Sequence, residues 1–151
     1  MLGVLDEEQI DQLLRSEVVG RIGCYDNGRT YVVPITYVYD GKSVYGHSAD
    51  GMKLRMMRAN PKVCFEVDHM DNLFKWRSVI AWGTFEELYG DQATYAMRLL
   101  LNRVKPLMTS ETSHPAHGLG SGSTHGADTT GRKAIFYRIN LTEKTGRFEK
   151  N

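Results

Sequence analysis

The sequence predicts a mainly β fold, a β-barrel of about six antiparallel strands with appended helices. Strand-like runs recur along the chain, and short turn signals separate them, most clearly at 26–28 and 40–41. One helical segment lies between two of these runs, and another follows late in the chain. Because parallel βαβ units would alternate strands and helices more regularly, the pattern favours a barrel.

The chain opens with a short helix, predicted over 6–16. Ile10, Leu13 and Leu14 share one face of this helix, and its first turn carries acidic residues, which the helix dipole favours. From Val18 the pattern changes to strand-like runs, which predict an antiparallel meander. The first three runs cover 18–25, 30–39 and 43–48.

Helical character returns in the middle of the chain. We predict a helix over 51–59 that ends before Pro61, because proline cannot continue a helix. Strand-like runs then resume over 62–70 and 76–90.

The last third of the chain changes composition twice. A second substantial helix is predicted over 91–108. Its inward positions should include Tyr95, Leu99 and Val104. The segment 109–132 is rich in Ser, Thr, Gly and His and has almost no large apolar residue, so we predict a mobile loop there. The chain closes with a strand over 134–141 and a short polar tail.

Length, charge and cysteine content restrict the class of protein. The 151 residues fit a single domain, 1–151, and a net charge of +1 gives no support to nucleic-acid binding. We expect a cytoplasmic protein without membrane association, because no apolar run reaches membrane-spanning length and the first residues lack signal-peptide character. Cys24 and Cys64 lie inside strand-like runs, so we expect both to be buried small hydrophobes.

The stretch 45–61 is the most informative about chemistry. A strand ends there in small and polar residues and leads into a helix that carries Lys53, Arg55 and Arg58. Backbone N–H groups at a helix start attract an anion, Gly51 lets the backbone come close, and Lys53 adds a full charge. The junction is therefore a candidate phosphate site.

An ordinary capped helix is the alternative interpretation of the same junction. Ser48 or Asp50 would then be the N-cap, and the three cations would form a solvated face. Asp50 also argues against a phosphate, because a carboxylate beside it is repulsive. Spacing alone leaves both interpretations open.

Short motifs follow one another through nearly the whole chain in a specific order. They are GRIG at 20–23, VVPITYVYDG at 32–41, VYGHS at 44–48, G-x-K at 51–53, NPKVCFEVD at 60–68, WRSVIAWG at 76–83 and KTG at 144–146. In these motifs the sequence resembles the flavin-binding pyridoxamine 5′-phosphate oxidase-like proteins, within them the nitroimidazole-reductase-like branch. The resemblance implies an FMN-binding split barrel and a homodimer with two equivalent flavin sites at its interface.

The resemblance also implies roles for residues of two strands. Val33, Pro34 and Ile35 would run under the flavin ring, with their backbone groups facing its polar edge. His47 and Ser48 would lie near the ribityl-phosphate arm.

Three further residues receive roles in the same way. Lys53, which follows Gly51 in the G-x-K motif, matches the family's phosphate-binding lysine. Arg77 and Ser78 match the strand that approaches the flavin from the neighbouring chain. Charge-assisted bonds from Lys and Arg suit a dianionic phosphate.

The implied function is an FMN-dependent oxidoreductase that reduces a small nitroaromatic or quinone-like substrate, with His47 or a loop histidine able to deliver a proton. Two alternatives stay open: a flavin-binding or storage module without turnover, and a haem-binding split-barrel relative. No metal site is predicted, because His69 and the loop histidines lack a rigid framework and a completing carboxylate or thiolate.

Overall fold

The computed structural model describes residues 1–107 and 133–151, so the predicted loop 109–132 lies outside the described residues. The strands are β1 (Leu2–Val4), β2 (Val19–Asp26), β3 (Arg29–Thr36), β4 (Val38–Tyr39), β5 (Ser43–Ser48), β6 (Lys62–Asn72), β7 (Lys75–Leu88) and β8 (Ile135–Glu149). The helices are α1 (Glu7–Ser16), α2 (Met52–Ala59) and α3 (Gly90–Val104), and a 3-10 turn follows at Lys105–Leu107.

The eight strands in the described parts of the chain form one antiparallel sheet. Its order is β3-β2-β6-β7-β8-β5-β4, and β1 pairs with β8 outside this path. The sheet is not closed, although Cα atoms of β3 and β5 approach within 8 Å without pairing. The predicted mainly β architecture is confirmed. Among the described strands, β1 lies outside the predicted runs, and β4 is the end of the predicted run 30–39.

Tyr37 divides the predicted strand 30–39 into β3 and β4. The chain passes here from one end of the sheet to the other, and the ring of Tyr37 is wholly buried. Its backbone N–H donates to Val18 O at 3.0 Å, and its Oη donates to Leu14 O at 2.7 Å. The first bond satisfies the backbone N–H where the strand is interrupted, and the second satisfies the buried hydroxyl.

The prediction of a polar tail after 141 was wrong. β8 continues to Glu149 and pairs with β7 from Phe136, opposite Leu88, to Glu149, opposite Trp76. On its other side β8 pairs first with β5 and then with β1. Pairing with β7, joined by pairing with β1 over the last three residues, holds this polar segment in the sheet, and Phe148 packs against the core.

Two apolar clusters hold the sheet and helices together. The larger one contains the wholly buried Leu13 and Leu14 of α1 and Leu54 and Met57 of α2. The smaller one lies under α3 and is built from Tyr45, Leu88, Ala96, Leu100, Ala134 and Phe136. The helix α3 therefore buries a face one residue away from the predicted one.

Three expectations about burial need correction or refinement. Tyr95 is 50% exposed rather than inward, while Leu99 and Val104 are half-buried. Cys24 is buried as expected, but Cys64 is only half-buried, and both thiols are free.

No helix within the described ranges is both long and apolar enough to cross a bilayer.

The helix α1 begins with a reciprocal capping box. Asp6 Oδ1 accepts a hydrogen bond from Gln9 N at 2.8 Å, and Gln9 Oε1 accepts one from Asp6 N at 2.9 Å. Two backbone donors at the helix start are thereby satisfied, which fixes the first turn of α1.

Candidate functional site

The junction between β5 and α2 is the centre of the candidate site. Gly51 is the N-cap of α2, and no side chain of the described residues bonds the N–H groups of the first helical turn. A Cβ placed on Gly51 would meet nothing closer than Ala49 O at 4.0 Å, so the approach to the helix start is open on that side. The interpretation as a helix capped by Ser48 or Asp50 was wrong, and α2 presents unbonded N–H groups at its start.

Asp50 does not repel an anion at this junction as strongly as the sequence suggested. Its Oδ1 accepts a hydrogen bond from Arg58 Nη1 at 3.2 Å, so its charge is balanced. Arg58 Nε also donates to Glu87 Oε1 at 2.7 Å. Arg58, at the end of α2, is thus engaged by two acids, one of which is Asp50 next to the helix start.

Lys53 is half-buried and has no acidic partner within residues 1–107 and 133–151. Its Nζ lies over the ring of Tyr137, 6.0 Å from the ring centroid. Burial lowers the pKa of the Lys53 ammonium below its usual value, and the Cys24 thiol nearby counteracts this only in part. A partly desolvated cation without an acid is a group that gains from an anionic ligand.

Tyr137 is a residue of this region that sequence reasoning missed. It lies opposite Gly46 of β5, and a Cβ placed on Gly46 would be only 2.6 Å from its Oη. The side chain is wholly buried, and its Oη has no hydrogen-bond partner among the residues that the structure describes. Burial raises the pKa of the Tyr137 phenol well above its ordinary value. A glycine within a strand can mark such a close approach, and this was the available signal in the sequence.

His47 and Ser48 point to opposite sides of β5, because side chains alternate along a strand. His47 shares the side of Tyr45, where its ring stacks on Phe136 at a centroid distance of 6.1 Å beside the cluster under α3. Ser48 shares the side of Gly46, and its Oγ donates to Ala49 O at 2.6 Å. Of the two residues predicted near a phosphate arm, only Ser48 faces the side of the sheet that contains Tyr137.

Val33, Pro34 and Ile35 lie on β3, an end strand that pairs with β2 alone in the described part of the chain. Val33 and Ile35 pack into the core, while Pro34 is exposed. An end strand tolerates proline because its outer backbone groups have no ladder partner. The outer edge of β3 therefore offers backbone groups to a ligand.

Arg77 and Ser78 lie far from this junction within one chain. Ser78 is opposite Arg147 on β8, ten residues from Tyr137, which is about 30 Å of extended chain. Neighbouring residues of a strand point to opposite faces, so Arg77 and Ser78 cannot face one ligand from the same side. Arg77 has no ion pair in the ranges that the structure covers.

The outer face of the β3-β2-β6-β7 region is unusually apolar for a solvent-exposed surface. Residues directly opposite one another on neighbouring strands have side chains on the same face of the sheet. One such row crosses the four strands from β3 to β7 and consists of Val32, Gly23, Cys64 and Trp82. Large apolar side chains between 40% and 65% exposed occupy this face, namely Val19, Tyr25, Val32, Met70, Ile80 and Trp82. Such a patch is typical of an interaction surface.

Two acids lie within this apolar face. Arg21 Nη1 is 3.5 Å from Glu66 Oε1 and 3.5 Å from Asp68 Oδ2, so one cation serves two carboxylates. Burial, together with the Asp68 carboxyl, raises the pKa of Glu66 to about 7, against the lowering effect of Arg21.

The architecture and motif order agree with one protein family. The family model of pyridoxamine 5′-phosphate oxidase matches residues 6–148. The chain belongs to this family. This pyridoxamine 5′-phosphate oxidase family member is similar in sequence to an uncharacterized protein of Rhizobium meliloti (strain 1021). The two are 30% identical over 96 residues. The match spans 64% of each of the two chains, less than two thirds of the relative's length.

Solved structures agree with this family assignment. A FAD-binding protein from Mesorhizobium loti superposes with a TM-score of 0.74 at 25% identity, covering 99% of each chain. A candidate 5-nitroimidazole antibiotic resistance protein from Bacteroides thetaiotaomicron has a TM-score of 0.71 at 17% identity, covering 98% of this chain and 87% of that chain. The second likeness shows the fold alone, because its sequence identity is low.

Proposed function

We propose that this pyridoxamine 5′-phosphate oxidase family member binds a flavin, FMN, with the flavin phosphate at the junction between β5 and α2. The observation that carries the proposal is the uncapped start of α2 beside Lys53. A phosphate dianion there would accept charge-assisted bonds from the ammonium and bonds from the helix N–H groups. The FAD-binding protein from Mesorhizobium loti supports a flavin as the class of ligand.

The outer edge of β3 supports a position for the flavin ring. The ring carries donors and acceptors along one edge, and the backbone of Val33, Pro34 and Ile35 offers such groups at the end of the sheet. Pro34 has no N–H, so it contributes only its carbonyl group to such an edge. Ser48 and Lys53 would hold the other end of the cofactor.

We further propose that the protein is an oxidoreductase for a small nitroaromatic or quinone-like substrate. A bound flavin supplies hydride and electron transfer, so no nucleophilic side chain is needed. The chain's own residues bind the phosphate, orient the ring against β3 and keep water from one ring face. The substrate class rests on the resemblance in sequence motifs.

The proposal includes a homodimer in which the flavin sites lie between chains. The apolar outer face supports it, because a second copy covering this face would remove Ile80, Trp82 and Val32 from water. Ser78 and Pro34 lie on this same face. A second copy would therefore bring its own β7 toward β3, which explains why Ser78 is far from the junction within one chain.

Absorption spectroscopy of the purified protein, followed by titration with FMN, FAD and riboflavin, tests the proposed cofactor. We expect flavin bands and tighter binding of FMN than of riboflavin, because riboflavin lacks the phosphate. Preference for FAD would contradict the choice of FMN alone, and the absence of flavin binding would contradict the whole proposal. A Soret band would instead indicate the haem-binding alternative.

Electron transfer is tested separately with the flavin-loaded protein. We expect a reduced pyridine nucleotide to bleach the flavin bands and a nitroaromatic or quinone acceptor to restore them. A flavin that neither accepts nor delivers electrons under these conditions would favour the storage module.

A further inference from the structure

Tyr137 differs from two other buried tyrosines of the core in its hydrogen bonding. Tyr37 Oη donates to Leu14 O at 2.7 Å, and Tyr39 Oη donates to Asp11 Oδ1 at 2.9 Å. Tyr137 is just as buried, yet its Oη has no partner among residues 1–107 and 133–151. A buried hydroxyl without a partner destabilises the fold, so its presence in a native core needs an explanation.

The surroundings of the Tyr137 hydroxyl connect it to Lys53. Only glycine fits opposite it on β5, since a Cβ on Gly46 would lie 2.6 Å from Oη and 2.7 Å from Cζ. The Lys53 ammonium lies on the ring of Tyr137, 6.0 Å from its centroid. The lysine side chain is flexible, so rotation about its bonds can move Nζ from the ring face to the hydroxyl.

We propose that Tyr137 is a positioning residue for Lys53, and that its Oη accepts a hydrogen bond from Lys53 Nζ when an anion binds at the start of α2. The inference rests on the proposed function and concerns how the same site holds its phosphate. An ammonium has three N–H donors, and a phosphate at the junction takes those that point outward.

The chemistry of the phenol suits this role. In a partly desolvated site the inward donor of Lys53 needs an acceptor, because an unsatisfied buried donor is costly. A carboxylate in that position would neutralise the ammonium and compete with the phosphate. A phenol accepts the bond and leaves the positive charge to the ligand, which accounts for an uncharged acceptor beside a lysine that has no acidic partner in the described part of the chain.

The substitution Tyr137→Phe tests this role because it removes the hydroxyl and keeps the ring. We expect FMN to bind about tenfold more weakly and riboflavin to bind as before, since one hydrogen bond to a charged group is lost. The melting temperature without ligand should not fall, because the hydroxyl has no partner to lose in the part of the chain that the structure covers. The matched control is Tyr37→Phe, which removes a satisfied bond to Leu14 and should lower the melting temperature without changing the ratio of the two affinities.

A double-mutant cycle with Lys53→Ala separates positioning from independent effects. In the Lys53→Ala background, Tyr137→Phe should cause no further loss of FMN affinity. The inference would be overturned if the losses from the two substitutions were additive. It would also be overturned if Tyr137→Phe alone left FMN affinity unchanged or weakened FMN and riboflavin equally. Each of these outcomes leaves the proposed function intact. A wild-type protein that binds no flavin would overturn both.

Discussion

Lys53 occupies a half-buried position with no acidic partner among the described residues, and its replacement by alanine tests the proposed phosphate contact. We expect Lys53→Ala to weaken FMN binding about ten- to a hundredfold, because a lost charge-assisted bond costs roughly 1.5–3 kcal/mol. Riboflavin affinity should change little. Fluorescence titration of both ligands against both proteins measures the difference.

A second substitution on the same helix serves as the control for Lys53. Arg55 is exposed on α2, so Arg55→Ala should leave FMN affinity unchanged. Burial lowers the pKa of Lys53, so FMN binding by the wild type should weaken with rising pH earlier than an ordinary lysine would allow. Equal effects of Lys53→Ala on FMN and riboflavin would place Lys53 outside the phosphate site.

Gly46 is the neighbour that makes room for the Tyr137 hydroxyl. Gly46→Ala places a Cβ 2.6 Å from Tyr137 Oη, and overpacking of this kind costs about 1–3 kcal/mol of unfolding free energy. Urea denaturation measures the loss. Gly51→Ala is the control, since the space around Gly51 is open and only the smaller cost of a poorer N-cap is expected. Equal stability of the two variants would show that the Tyr137 ring can move aside.

The sequence indicated Lys53 but not Tyr137, and the reason is physical. A G-x-K pattern after a strand is local, so the sequence alone predicts a helix start with a nearby cation. The pairing of Tyr137 with Gly46 depends on the register between β5 and β8, which distant parts of the chain determine together. The opposite orientations of His47 and Ser48 follow from strand alternation, but which of the two faces the side of Tyr137 depends on the same register.

The start of α1 offers a test at the level of one helix. Asp6→Ala removes half of the capping box and should cost about 0.5–2 kcal/mol of unfolding free energy. Thermal and urea denaturation measure the change. Glu8→Ala, in the same turn but outside the box, should have a smaller effect. Similar losses in both variants would mean that the helix dipole, rather than the cap, dominates.

Helices and inner strands were predictable because their signals are local. The apolar face of α1, the proline after α2 and the turn signals between β2, β3 and β5 all lie within the segments that they define. The second half of β8 was not predictable, because Thr142 to Glu149 are mostly polar and only pairing with β7 and β1 makes them a strand. The short β1 was missed because three residues carry no clear strand pattern and only pairing with β8 makes them a strand.

Self-association of the whole molecule is tested on the apolar outer face. We expect the wild type to be a dimer by light scattering and Ile80→Asp to be a monomer, because the new carboxylate would be buried unpaired between copies. Tyr95→Asp is the control, since Tyr95 is exposed on α3 away from this face. A monomeric wild type that binds FMN tightly would contradict the shared-site dimer.

Glu66 should make the stability of the fold depend on pH. Its pKa is raised from 4.5 to about 7 in the folded protein, so the folded state holds a proton that the unfolded state releases between these values. The stabilisation of the folded state that comes from protonated Glu66 is present at low pH and is lost as the pH rises toward 7 and above. Glu66→Gln should therefore increase stability at pH 8 relative to wild type and flatten the profile. If urea denaturation gave the same pH dependence of the unfolding free energy for wild type and Glu66→Gln, the raised pKa of Glu66 would be contradicted.

The position of β8 imposes an order on biosynthesis. The ribosome releases β1, β5 and β7 earlier than β8, yet all three pair with β8, which comes last in chain order among the described strands. Until β8 emerges, the edges of these strands lack their partner, and sheet edges of this kind are prone to aggregation. The nascent chain therefore cannot complete its sheet before β8 has left the ribosome. Its yield in the cell should depend on how quickly this last strand finds its place.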